Sequence, residues 1–142
     1  MKRILMPVDG SVSGDIALEY CIYIAQKLNT AIAGLHVLDI NLLQGPMLTD
    51  ISGAVGMSPY DGFFDAIETS LSEKADFILN NFRERCRKAA VEADIKKVIG
   101  KIGETIIEEA QDSDLIVMAR VSCIDSPVAP LGRSTGIACL AM

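Results

Sequence analysis

Histidine, basic charge and long apolar runs are scarce in this chain, and each shortage closes off a class of function. His36 is the single histidine among 142 residues. One histidine allows no H-E-x-x-H pair and no Cys/His cluster. A Ser-His-Asp triad would have to use His36 without a G-x-S-x-G elbow. The cysteines Cys21, Cys86, Cys123 and Cys139 form no C-x-x-C pair, and their spacing suits neither a zinc site nor a disulfide framework. They read as ordinary thiols, with Cys123 and Cys139, in less regular sequence, the more open to reaction. Thirteen Lys and Arg against 19 Asp and Glu leave a net charge of −6. Such a chain has no basic patch for a nucleic-acid backbone. No apolar run approaches the ~18 residues of a membrane helix. Met1-Lys2-Arg3 has the charge of a signal peptide, but Asp9 closes the apolar run after it too early. A cytoplasmic chain is expected.

Apolar residues make up half of the sequence, enough for one sizeable core and one domain spanning 1–142. Arg3 to Val8 is a short apolar run ending at Asp9-Gly10-Ser11, which predicts a buried strand with Pro7 near its end. A helix follows, with Ser11 or Ser13 as N-cap, an end at Asn29-Thr30, and Ala17, Tyr20, Cys21, Ile24, Ala25 and Leu28 on its inner face. Ala31 to Leu38 is a second strand, apolar on both faces as in a covered parallel sheet. Residues 41–61 carry Gly45-Pro46, Gly53, Gly56 and Pro59, and read as a long irregular connection: a lid or docking segment, or packing on the core. The stripe Phe64, Ile67, Leu71, Ala75, Ile78, Phe82, Cys86, Ala89 and Ala93 predicts a long helix with a solvated charged face. Lys97 to Ile99 reads as a third strand. Gly103 to Gln111 reads as a helix with Ile106, Ile107 and Ala110 inward, and Leu115 to Ala119 as a fourth strand. Val121 to Leu131 reads as a loop, and Ser134 to Leu140 as a short final helix. The alternation predicts an α/β fold, an open parallel sheet with helices on both faces.

In such sheets ligands bind beyond the carboxyl ends of the strands, where strand order reverses. Asp9, Asp39 and the residues after Met118-Ala119 stand at such ends. Asp9 reads equally as an acceptor for a ribose or base and as a turn residue beside Gly10. His36 reads as a satisfied histidine in an apolar strand. Gly10-x-x-x-Gly14 is neither a P-loop nor G-x-G-x-x-G. Gly132 with Ser134 and Thr135 offers donors at a helix start, a weak signal by itself.

Together these segments resemble the universal stress protein family over Lys2 to about Ala138. ILMPVDGS is similar to the family's first strand and its Asp, LHVLD to the second strand, GKIGETIIEEA to the passage with Gly100 and Ile106, and DSDLIVMA to the fourth strand. The resemblance implies an adenine-nucleotide α-hydrolase-like fold and binding of ATP or another adenine nucleotide, with magnesium bridging the phosphates. It implies that Pro7, Val8, Asp9 and Val37 hold adenine and ribose, with Val8 and Val37 acting through the main chain. Met118, Ala119, Ser122, Gly132, Arg133, Ser134 and Thr135 would line the phosphates, with 120–133 as the phosphate loop. The family's G-x2-G-x9-G-[ST] spacing survives here as Ala119-x2-Ser122-x9-Gly132-Arg133, with Thr135 as the hydroxyl two residues on. Only the third glycine is kept. The usual fifth strand, an apolar run introduced by Pro, is missing. Because that strand builds the dimer interface in many members, a monomer and a homodimer through the sheet edge are both open. No catalytic residue is expected, since neither Asp9 nor Asp125 is an evident general base. A regulatory or interaction module without nucleotide is the main alternative, and a weak ATP hydrolase a lesser one.

Overall fold

The computed structural model describes residues 3–40, 61–120 and 136–141. Strand β1 (Arg3–Pro7) leads through helix α1 (Val12–Leu28) to β2 (Ala31–Asp39). Helix α2 (Asp61–Lys88), β3 (Ala93–Gly100), α3 (Ile102–Ala110), β4 (Leu115–Arg120) and β5 (Gly136–Ala141) follow. The sheet order is β3-β2-β1-β4-β5. Strands β1 to β4 run parallel, so the parallel part has the four strands expected of a sheet short of its usual last one. The short helix expected over Ser134 to Leu140 is not formed. Gly136–Ala141 instead pair with β4 as an antiparallel edge strand, so a fifth strand is present in reversed direction.

Each face of the sheet carries its own core. On one face Ile4, Met6, Ile32 and Val117 pack against Ala17, Leu18, Cys21 and Ala25 of α1 and Phe82 and Cys86 of α2. On the other, Leu5, Ala33, Leu35 and Ile116 meet Ile106 and Ala110 of α3. The alternation of strand side chains accounts for the split, since Ile4 and Leu5 face opposite ways. Helix α2 lies very close to β2. A Cβ built on Gly34 would stand 2.7 Å from Phe82 Cδ1 and 2.8 Å from Cζ, so glycine makes room for the buried ring.

Caps account for the helix ends. Ser11 Oγ accepts the Gly14 N–H at 2.9 Å and starts α1, as expected. Asn29, left-handed at φ 48°, ends it. Helix α2 ends earlier than its apolar stripe predicts. Ala90 turns left-handed at φ 57°, the Val91 N–H returns to the Cys86 carbonyl, and Ala93 opens β3 rather than lying on the helix. Strand β3 therefore begins four residues before the expected Lys97.

Three residues expected inside are exposed. Tyr20 is 56% exposed, Leu28 45% and Ile107 65%. The buried face of α1 is Gly14, Ala17, Leu18, Cys21 and Ala25. These mostly small residues bring the helix onto the sheet and leave no width for Tyr20. Helix α3 buries only Thr105 and Ala110 fully. The charged residues Glu73, Lys74, Arg83, Glu84, Arg87 and Lys88 of α2 are all exposed, as expected. Cys21 and Cys86 are buried thiols, and burial pushes the Cys86 thiol up to about 11, which keeps it protonated and unreactive. No helix among the described residues is long and apolar enough to cross a membrane.

Candidate functional site

The direction of chain travel reverses at β1. From β1 the chain moves through α1 to β2 and through α2 to β3, and α3 then carries it back to β4 on the other flank of β1. The carboxyl ends of β1 and β4 therefore flank the switch point, where an open α/β sheet leaves a crevice. Ile4 pairs with Leu115 and Leu5 with Ile116. The same register carried forward sets Pro7 beside Met118 and Val8 beside Ala119. These four residues are half-buried. Val8 and Ala119 pack toward the α1–α2 core, and Pro7 and Met118 alternate to the opposite face.

Asp9 is exposed just beyond this end. Its Oδ1 accepts the Ser11 N–H at 2.9 Å, closing an Asx turn, so the turn reading of this residue is realised. A carboxylate offers ~four acceptor positions, so this bond leaves room for a further donor. Two glycines make the turn possible. Gly10 has φ +75°, and a Cβ there would come within 2.8 Å of Ile78 Cδ1. A Cβ on Gly14 would stand 2.7 Å from Asp9 Oδ1. Gly10 thus lets α2 press on the turn, and Gly14 lets the carboxylate lie against the first turn of α1.

Val8 is held by its main chain on both sides. Its N–H donates to the Leu35 carbonyl at 2.8 Å, and its carbonyl lies 2.6 Å from His36 Nδ1. A carbonyl only accepts, so Nδ1 carries the proton and donates. His36 is thus a satisfied histidine, as its apolar strand suggested. The Val8 N–H is already committed, so of its main-chain groups only the carbonyl, whose oxygen has two lone pairs, has capacity for a further donor. Val37 packs its side chain on the α3 face. By strand alternation its main chain turns to the same side as that of Leu35, toward the end of β1.

Pro7, Val8, Asp9, Val37, Met118 and Ala119 are thus brought to one end of the sheet. Ser122, Gly132, Arg133, Ser134 and Thr135 lie outside the described residues, as do Cys123, Asp125, the 120–133 loop after Arg120 and the 41–61 connection before Asp61. Sequence reasoning missed the anchoring of Val8 by His36. Only the pairing of β1 with β2, an offset of 28 residues seen in Pro7↔Leu35, reveals it. The Asx turn had a visible signal in Asp9-Gly10-Ser11. Among the described residues no group of three or more His, Cys, Asp and Glu is placed to hold a metal ion.

Comparison with solved structures returns the same fold. The hypothetical protein MJ0577, the subject of a structure-based assignment of biochemical function, matches with a TM-score of 0.66 at 22% identity, over 80% of this chain and 71% of that one. A protein from the universal stress protein family from Burkholderia pseudomallei matches with a TM-score of 0.61 at 18% identity, over 82% and 79%. Universal stress protein UspA from Lactobacillus plantarum matches with a TM-score of 0.58 at 22% identity, over 92% and 85%. No curated protein sequence matches. The model of the universal stress protein family matches residues 1–122, which carry β1 to β4 and the switch point between them. The chain therefore belongs to the universal stress protein family.

Proposed function

We propose that this protein binds an adenine nucleotide, ATP, ADP or AMP, at the carboxyl ends of β1 and β4, and that it serves a stress response in the cytoplasm. The observation that carries this reading is the exposed carboxylate of Asp9, set by its Asx turn beside the ends of the two strands that flank the switch point. Asp9 accepts a ribose hydroxyl while still holding Ser11. Val37 and the free lone pair of the Val8 carbonyl contact the base through the main chain. Met118 and Ala119 lead toward the phosphates. Magnesium, when bound, neutralises phosphate charge and needs no dedicated protein cage. The test is isothermal titration calorimetry with Mg-ATP together with thermal unfolding. Binding heat and a raised Tm are expected, with ~2.7 kcal/mol of stabilisation when ligand is at a hundred times its Kd. No heat and an unmoved Tm would sink the reading.

A second reading is a regulatory or interaction module that holds no nucleotide. The engaged N–H of Val8 favours it, as does Ala119 at a position where the family spacing has glycine. Mass spectrometry of protein purified without added ligand separates the two, since co-purified nucleotide supports the first reading. Turnover is not part of either. Phosphate release that disappears in Gly132→Asp would point instead to weak ATP hydrolysis. Self-association as a homodimer is decided by sedimentation equilibrium.

A further inference from the structure

We infer that His36 is a positioning residue for the nucleotide site: its Nδ1–H, bonded to the Val8 carbonyl, sets the orientation of the Val8–Asp9 peptide unit and through it the placement of Asp9. The inference rests on the nucleotide reading above for its effect on affinity, but not for its effect on geometry.

Strand β1 ends in Pro7, which has no N–H, while β2 runs on to Asp39. Continuing the register of Pro7↔Leu35 puts His36 opposite Val8, at the first step past the end of β1, where β2 keeps β3 on its other edge. There a side chain completes the pairing: Val8 N–H donates to Leu35, and His36 Nδ1 donates back to the Val8 carbonyl at 2.6 Å. That carbonyl belongs to a planar unit running from the Val8 Cα to the Asp9 Cα. A bond at one end of the plane therefore orients the other end, from which the Asp9 carboxylate extends. The Gly10 hinge follows directly, at φ +75°, a residue that would otherwise leave the step free to rotate. Beyond Gly10, the Ser11 N–H reports where the carboxylate sits, at 2.9 Å from Oδ1. His36 is half-buried, and as the chain's single histidine it gives one unambiguous imidazole signal.

The experiment uses the full chain and three readouts. In ¹⁵N NMR of the imidazole, the neutral ring shows its proton on Nδ1; a proton on Nε2 overturns the assignment. Amide exchange at Val8 and Ser11 speeds by about three- to tenfold in His36→Phe, the range that loss of one hydrogen bond gives. It returns toward the wild-type rate in His36→Asn, whose amide reaches the Nδ1 position. Unchanged exchange in His36→Phe overturns the inference. Affinity for Mg-ATP falls about three- to tenfold in His36→Phe and is restored in His36→Asn. If the wild type takes up no Mg-ATP while the exchange pattern holds, the nucleotide reading fails and the positioning role stands. If His36→Phe does not fold, the tautomer and the His36→Asn exchange rates decide, and exchange in His36→Asn faster than a lost hydrogen bond explains counts against it.

Discussion

Asp9 Oδ1 accepts the Ser11 N–H at 2.9 Å, so one carboxylate serves both the start of α1 and the end of β1. Its structural and binding roles separate by substitution. Asp9→Asn keeps an oxygen acceptor for Ser11, and its unfolding free energy should stay within about 0.5 kcal/mol of wild type. Asp9→Ala removes the acceptor and should cost about 1 kcal/mol. Both should weaken Mg-ATP binding if Asp9 contacts ribose. Denaturant unfolding and calorimetry on the pair check this, and equal stability loss in both variants would contradict it.

Gly10→Ala should destabilise by about 1–3 kcal/mol, because it places a Cβ at a left-handed φ and against Ile78. Urea unfolding measures the loss. Gly10→Ala with Ile78→Ala should recover the steric part only, leaving the φ penalty behind.

Gly34→Ala should cost about 1–3 kcal/mol by forcing a methyl into the Phe82 ring. Phe82→Leu introduced alongside should make the second substitution less costly than it is alone. A double-mutant cycle with no coupling between the two positions would refute the close packing of α2 on β2.

Ala90→Gly should stabilise the protein by up to about 1 kcal/mol. Ala90 sits at φ 57° in the turn that ends α2, where an L side chain is strained and glycine is not. A raised Tm is the expected result, and a fall would count against the strain.

Stability should decline as pH rises from 9 to 11. Burial raises the Cys86 thiol from 9.0 to about 11. A raised folded value favours the protonated native state below pH 9, and the advantage is lost as the pH climbs through 11. Cys86→Ala should flatten this part of the stability–pH curve, although it lowers stability throughout by opening a cavity. Denaturation midpoints across the range provide the check.

How far the sequence alone carries this structure depends on the type of interaction. Strands β1, β2 and β4 were legible because a buried parallel strand is an apolar run, and Ser11 was legible because caps are local. The end of α2 was not, since its left-handed residue is Ala90 rather than glycine and the apolar spacing continues across it to Ala93. Tyr20 and Ile107 fell on the right helical period but on the wrong side of a narrow buried face. Strand β5 is not legible, because a run as short as Gly136–Ala141 carries no clear period and fits a short helix as well. At the candidate site Asp9 was visible as a strand-end acid. The role of His36 was not, because its partner Val8 is adjacent only once β1 and β2 have paired.

The reversed direction of β5 has a consequence for the nearby crevice. Arg120, the last residue of β4, pairs with Gly136, the first of β5. The chain thus leaves the sheet and rejoins it at one place, beside the ends of β1 and β4. A parallel β5 would begin at the far end of the sheet. With Arg120 and Gly136 paired, the entropy of bringing these two chain positions together is met by strand pairing rather than by a ligand. Weakening the edge pairing at Gly136–Ala141 would return that entropy cost to any ligand that spans the two strands, even though no residue contacting the ligand had been changed.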